Sequence, residues 1–263
     1  IICEIGHGAH GKVYLAEGTN GRVALKVCRK PEDSNRCENW ERELRGWLLL
    51  KNMPPHPGIV RIYDVGYSHS ENVFWVAMEL ADSEDGHSIE NGATYRPKTL
   101  ASLVSAELAL PISQCLNIAE DLALALVHLQ RNHLLHRDIK PENIMLQQDG
   151  SVKLVDLGIA KAEGIKDSLR TTTESVFGTP AYVSPEQALS FSDVDVRADI
   201  YSLGVVFFEM VSGRCPYTGK SAPAVLMQVM SDDPVPDVRD FAGDVPFSVA
   251  ALIRRMCVKA TAG

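Results

Sequence analysis

Residues 6–13 read GHGAHGKV, and the residues after them limit the fold more than the glycines do. Gly6, Gly8 and Gly11 satisfy G-x-G-x-x-G, the dinucleotide fingerprint. Gly6, Gly11 and Lys12 also satisfy most of the P-loop pattern, but Val13 stands where that pattern needs Ser or Thr to ligate magnesium. Both patterns require the glycines to open a helix whose N-terminal N–H groups hold phosphate. Here the chain continues KVYLAEGTNGRVALKV. Val13 and Leu15 alternate with polar or small neighbours, Asn20-Gly21 signals a hairpin, and Val23, Leu25 and Val27 alternate again. That is strand, turn, strand. The glycine stretch is expected to join two antiparallel strands, and neither helix-opening motif fits.

Up to about Val76 the chain reads as strand-rich with one helix, from about Asn39, in which Trp40, Glu43, Leu44, Trp47 and Leu50 fall near helical spacing. Met53-Pro54-Pro55-His56-Pro57 ends that helix, because proline cannot continue it. GIVRIYDVGY and NVFWVAMEL read as two further strands. Asp82 to Lys98 is polar, glycine-bearing and without period, so a loop is expected, longer than a simple connection needs. LNIAEDLALALVHL then repeats apolar residues at helical spacing. Short strands at Ile144–Leu146 and Val152–Val155 flank a turn, a Thr-rich loop runs to about Pro185, and helical segments follow. The pattern predicts an α+β chain of two lobes, a small β-rich lobe over 1–80 and a larger, mainly helical lobe over 81–263.

The 263 residues suffice for two lobes with substantial cores. A net charge of −8 argues against non-specific nucleic-acid binding. Cys3, Cys28, Cys37, Cys115, Cys215 and Cys257 are scattered without a C-x-x-C pair, which points to neither zinc nor a disulfide framework and suits a reducing compartment. The apolar run Ile200–Val211 is too short to span a membrane and carries Glu209; it reads as a buried core helix, and no signal peptide or span is expected within the chain. The chain starts without Met and enters its first strand at once, so an excised domain is expected, cytoplasmic in itself, with membrane anchoring of the parent protein left open.

Four further stretches line up after the glycines: VALK (Val23 to Lys26), HRDIKPEN (His136 to Asn143), DLG (Asp156 to Gly158) and GTPAYVSPE (Gly178 to Glu186). Together they resemble the protein-kinase signature set across nearly the whole chain. The nearest resemblance is to eukaryotic-like (Hanks-type) serine/threonine kinase catalytic domains, and RDIKPENIML and GTPAYVSPEQA are similar to the bacterial members. The resemblance implies a bilobal kinase fold over 1–263, cut short at its C-terminal end, where no arginine is left to pair with Glu186.

It also implies ATP and Mg2+ as cofactors and proteins with Ser or Thr acceptors as substrates. Gly6, Gly8 and Gly11 would let the backbone lie over the phosphates, and Lys26 would hold the α- and β-phosphates. Lys26 needs an anionic partner from the first helix. Glu41 and Glu43 compete, and Glu43 is preferred because Trp47 follows it one turn later on the inward face, whereas Arg45 follows Glu41. Trp47 is bulkier than the aliphatic residue expected there.

Asp138 would accept or orient the proton of the substrate hydroxyl, and Lys140 would reach the γ-phosphate, a mark of Ser/Thr kinases. Asn143 and Asp156 would supply oxygens to magnesium. Adenine would lie between Ile5, Val13 and Ala24 above and Met145 below, with Met78 at the back and the backbone of Glu79 and Ala81 at the purine edge. Leu157 replaces the usual Phe of DFG in a packing role, and Asp199 would buttress the catalytic loop. Arg137 precedes the catalytic Asp, an arrangement that pairs with a phosphate on the activation loop; Thr171 and Thr173 are its candidate sites, with autophosphorylation in trans through self-association. Thr179 would bond near Asp138 and Lys140 as part of the substrate platform. The alternative from another class is an ATP-binding pseudokinase or scaffold. Such chains usually lose the equivalents of Lys26, Asp138 or Asp156, and all three are present.

Overall fold

The computed structural model of the chain describes residues 1–8, 11–19, 21–32, 34–84, 95–106, 109–157, 180–189 and 194–259. Three strands, β1 (Cys3–Gly8), β2 (Gly11–Gly18) and β3 (Gly21–Arg29), form two successive hairpins, with Gly8 opposite Gly11 and Gly18 opposite Gly21. The glycine stretch therefore joins antiparallel strands, as the alternation of its neighbours implies. Gly11 has φ +149°, and a Cβ there would strike the Val27 carbonyl and sit 2.9 Å from Cys28 Sγ, so only glycine fits. β4 (Ile62–Ser68) and β5 (Val73–Met78) complete an antiparallel sheet of order β1-β2-β3-β5-β4.

The helix α1 (Ser34–Asn52) begins more than a turn before the expected Asn39. The residues it adds, SNRCE, carry no apolar repeat, so they leave no periodic trace in the sequence. From Trp40 onward the inward face is continuous, with Trp40, Glu43, Trp47 and Leu50 all buried. Trp40 donates from Nε1 to the Cys28 carbonyl at 3.1 Å, and its ring meets Phe74 and Tyr67 at centroid distances of 5.1 and 5.6 Å.

The second lobe holds α2 (Leu100–Ala106), α3 (Ile112–Arg131), the β6 (Ile144–Leu146) and β7 (Val152–Leu154) pair, α4 (Pro185–Leu189), α5 (Val196–Ser212), α6 (Ala222–Met230) and α7 (Phe247–Met256). The short α2 has no sequence signal of its own; two turns are too few to show a period. By length and composition α3 is apolar enough to cross a membrane, yet Ile118, Leu122, Ala125 and Leu129 are buried along its contact with α5. Nearly every residue of α5 from Ala198 to Val211 is buried, so it is the central helix of this lobe. The lobes are joined through β7: Val60 N–H donates to the Leu154 carbonyl and Leu154 N–H to the Gly58 carbonyl, both at 2.9 Å.

The polar segment Asp82–Lys98 is not loop throughout. Residues 85–94 lie outside those described, but its stem is paired, with Glu84 N–H on the Arg96 carbonyl at 2.9 Å and Lys98 N–H on the Asp82 carbonyl at 2.8 Å.

Gly204 lies on α5 where a Cβ would come within 2.7 Å of Cys257 Sγ and 2.8 Å of Met256 Cβ. Gly204→Val is expected to push α7 off α5 at a cost of about 2–3 kcal/mol. Tm by scanning fluorimetry should then fall by about 4–10 °C. An unchanged Tm would refute this close approach.

Candidate active site

The alternation of β3 turns Ala24, Lys26 and Cys28 to its buried face. A lone ammonium there would be costly. Lys26 instead meets two carboxylates, Glu43 Oε1 at 3.1 Å and Asp156 Oδ1 at 2.9 Å. Burial pushes the Lys26 pKa down, but Asp156 and then Glu43 pull it up by more, so the ammonium stays charged. The structure separates the two competing glutamates. Glu43 is buried beside Lys26, whereas the half-exposed Glu41 is 3.5 Å from Lys30.

The segment from His136 to Asn143 hangs from one buried carboxylate. Asp199, in the first turn of α5, accepts from the His136 N–H at 2.8 Å and the Arg137 N–H at 2.7 Å. Arg137 and Asp156 have φ of +62° and +53°, a region that residues with side chains seldom adopt. A further bond fixes this turn: Gln187 Nε2 donates to the Arg137 carbonyl at 3.1 Å. Gln187 is itself set by a reciprocal cap, accepting from Ser184 N–H at 3.1 Å while its own N–H meets Ser184 Oγ at 3.3 Å.

The His136 ring is fully buried between the Val155 carbonyl, 3.1 Å from Nε2, and the Asp138 N–H, 3.4 Å from Nδ1. A carbonyl can only accept and an N–H can only donate, so the proton is on Nε2. Burial lowers the His136 pKa despite the nearby carboxylates.

Asn143 binds Asp138 twice through Nδ2, at 2.8 Å to Oδ2 and 2.9 Å to the carbonyl. Lys140 Nζ lies 3.6 Å from Asp138 Oδ2. The Asn143 carbonyl accepts from the Val155 N–H at 3.0 Å, which couples this segment to the residue preceding Asp156. The structure thus brings Lys26, Glu43, Asp138, Lys140, Asn143 and Asp156 together around one junction of the lobes.

Beside them, Ala24 and Met78 are opposite each other in the β3–β5 register and buried, while Ile5, Val13 and Met145 are half-buried against the core. The Glu79 and Ala81 backbone groups are each engaged on one side. The Glu79 N–H is taken by the Arg61 carbonyl at 2.9 Å, and the Ala81 carbonyl accepts from the Tyr95 hydroxyl at 2.8 Å. Among the described residues, the Glu79 carbonyl and the Ala81 N–H have no backbone partner. The Glu79 carboxylate points elsewhere, to Lys153 Nζ at 2.6 Å.

A Cβ on Gly6 would meet nothing closer than 3.9 Å, so packing does not demand glycine there. Gly8 closes the hairpin opposite Gly11. Leu157 is buried in the core. Thr171, Thr173 and Thr179 lie outside the described residues. Sequence reasoning missed Tyr95, Lys153 and Gln187. Ser184-x-x-Gln187 is a readable capping signature, and Tyr95 is the aromatic residue in an otherwise polar insertion; Lys153 carries no signal.

A family model described as the protein kinase domain matches residues 1–261. The chain belongs to the protein kinase domain family. This kinase domain is 33% identical over 263 residues to the serine/threonine-protein kinase PrkC of Bacillus subtilis, which covers 98% of the chain and 37% of that protein. It is 32% identical over 258 residues to the serine/threonine-protein kinase PknB of Mycolicibacterium smegmatis, covering 96% of the chain and 38% of that protein. To the probable serine/threonine-protein kinase PknB of Lactococcus lactis it is 31% identical over 267 residues, covering 100% and 38%. The kinase domain therefore spans less than two-fifths of the length of these curated relatives.

The neutral His136 makes the kinase domain sensitive to acid. Once unfolded, His136 titrates near its ordinary value of about 6.5. As pH falls the unfolded chain binds the proton first. This contribution to stability is therefore complete above about pH 6.5 and is lost below it, by up to about 1.4 kcal/mol per pH unit. His136→Gln keeps a donor for the Val155 carbonyl and removes the titration. Its urea midpoint should fall less steeply than the parent's between about pH 6.5 and 5. Equal slopes would place the proton uptake on another group.

Proposed function

We propose that the chain is the catalytic domain of a serine/threonine protein kinase, transferring the γ-phosphoryl group of Mg-ATP to Ser and Thr hydroxyls of proteins. The observation that carries this reading is the Lys26 ammonium held between Glu43 and Asp156, at 3.1 and 2.9 Å, beside the Asp138–Asn143 pair. Phosphoryl transfer requires positioned charge more than covalent chemistry, and this junction supplies charge of both signs on fixed backbone.

In this reading Lys26 binds the α- and β-phosphates under the hairpin of Gly6, Gly8 and Gly11, where a Cβ on Gly6 would meet nothing closer than 3.9 Å. Asp138 takes the proton of the attacking hydroxyl, and Lys140 steadies the γ-phosphate. Asn143 and Asp156 offer amide and carboxylate oxygens, the donor type that magnesium prefers beside phosphate; when bound, the ion would neutralise phosphate charge. Among the described residues no cluster of three or more His, Cys, Asp or Glu is preformed, so phosphate and water would complete the ion's oxygen shell. The Glu79 carbonyl and the Ala81 N–H present one acceptor and one donor, matching the amino group and ring nitrogen of adenine. Ile5, Val13, Ala24, Met78 and Met145 supply the apolar walls.

Arg137 supports regulation by an anion. Its Nε is buried without a hydrogen-bond partner among the described residues. A phosphate on Thr171 or Thr173, placed by a second copy of the domain in trans, would satisfy it. Thr179 would complete the platform for the acceptor hydroxyl. The kinase domain works in this reading on the cytoplasmic side, whatever anchors the longer protein.

Intact mass before and after incubation with Mg-ATP, beside an Asp138→Asn control, tests the reading. Phosphoryl groups added to the parent alone, mapping to Thr171–Thr173, are the expected result. No addition while ATP still raises Tm would make the domain a nucleotide-binding pseudokinase.

A further inference from the structure

Lys26 has a third neighbour besides its two carboxylates. Its Nζ lies 5.2 Å from the centroid of the Trp47 ring, within cation–π range, and Trp47 Nε1 donates to Glu43 Oε1 at 3.4 Å. The same indole thus holds both members of the Lys26–Glu43 pair. It is 4% exposed, so these contacts are shielded from water.

The arrangement repeats along the same strand and helix. Lys30 continues the alternation of Lys26 and Cys28, and its Nζ lies 5.4 Å from the Trp40 ring centroid while Trp40 donates to the Cys28 carbonyl. Lys26 and Lys30 are separated by about 13 Å of extended chain at about 3.3 Å per residue. Trp40 and Trp47 are separated by about 10.5 Å of helix at about 1.5 Å per residue. The repeats match closely enough for one helix face to meet one strand face twice. The order is antiparallel: the later tryptophan takes the earlier lysine.

Two contacts of this kind fix the helix against rotation about its own axis as well as against lifting. A single ion pair can follow a rotating helix by changing rotamer. An indole packed at each end cannot, because both rings would have to leave the core together.

We propose that Trp47 is a positioning residue for phosphoryl transfer, holding Glu43 by its N–H and Lys26 by its ring, with Trp40 and Lys30 as the second station of a lysine–indole clasp between α1 and β3. The clasp holds the Lys26–Glu43 pair through contacts made within the small lobe. Its catalytic consequence rests on the proposed kinase activity.

Trp47→Phe removes the N–H and keeps a ring; Trp47→Leu removes both contacts and keeps an apolar side chain. The prediction is a kcat about tenfold lower in the Phe variant and lower again in the Leu variant. The KM for ATP should change less. Because the two groups act as a unit, Trp47→Phe combined with Glu43→Gln should be no slower than Glu43→Gln alone. Hydrogen–deuterium exchange should rise in peptides from 34–52 and stay constant in those from 62–78.

A lowered Tm with parental kcat and parental exchange would make Trp47 a packing residue and overturn the proposal. So would a parental kcat in both variants, whatever the exchange shows. If the parent itself transfers no phosphoryl group, the kinase reading falls and exchange alone decides: faster exchange in 34–52 keeps the clasp, and unchanged exchange removes it.

Discussion

The junction of the lobes depends on one buried cation. Lys26 sits on the inward face of β3 and must be compensated where it lies. Its partners come from α1 and from the residue after β7 and Val155, elements far apart in sequence. Leaving both partners out would strand a buried charge, at about 3–5 kcal/mol by the usual measure of broken buried pairs. The requirement therefore restrains the small-lobe helix and the large-lobe strand pair at the same time. The bonds between Leu154 and residues Gly58 and Val60 supply the matching backbone restraint, so ion pair and backbone favour one closure of the lobes.

A second buried charge, Asp199, organises the other half of the site by different means. It bonds peptide N–H groups and so sets main-chain direction. The left-handed turn at Arg137 is unfavourable by itself and persists because Asp199 holds its N–H and Gln187 its carbonyl. Burial raises the Asp199 pKa, against the pull of the nearby His136 and of the two N–H donors that favour its anion. Asp138 and Lys140 stand on that fixed backbone, and Asn143 adds to it by binding the Asp138 carbonyl.

The range of each interaction decides whether it can be read from sequence. The two hairpins are legible because alternation and Asn20-Gly21 are local signals. The side of α1 carrying Glu43 is legible because positions one turn apart share a face, so the Trp47 one turn after Glu43 marks it as inward. The start of α1 is hidden because SNRCE carries no apolar repeat, and α2 because it is too short to show a period. Tyr95 on the Ala81 carbonyl and Lys153 on the Glu79 carboxylate join positions that no repeat relates, so nothing in the sequence announces these contacts. Trp47 stands out as oversized, but its hold on Lys26 needs the distance between a strand and a helix, which spacing along one chain does not supply.

The two carboxylates on Lys26 are not equivalent, and their surroundings decide which one gives way when a phosphate arrives. The Glu43 side chain is 7% exposed and also holds the Trp47 N–H, so moving it would leave buried polar groups without partners. The Asp156 side chain is 44% exposed, and water can take over what Lys26 gives up. Exchange at the ammonium should therefore proceed by release of Asp156, with Glu43 and Lys26 staying in register. The released oxygen is the one the proposed reaction needs for magnesium, beside Asn143, whose carbonyl is tied to Val155 and whose amide is tied to Asp138. In the proposed reaction this pairing would keep Asp156 next to the place where it is used, and phosphate binding would need only a change of partner at the exposed side chain.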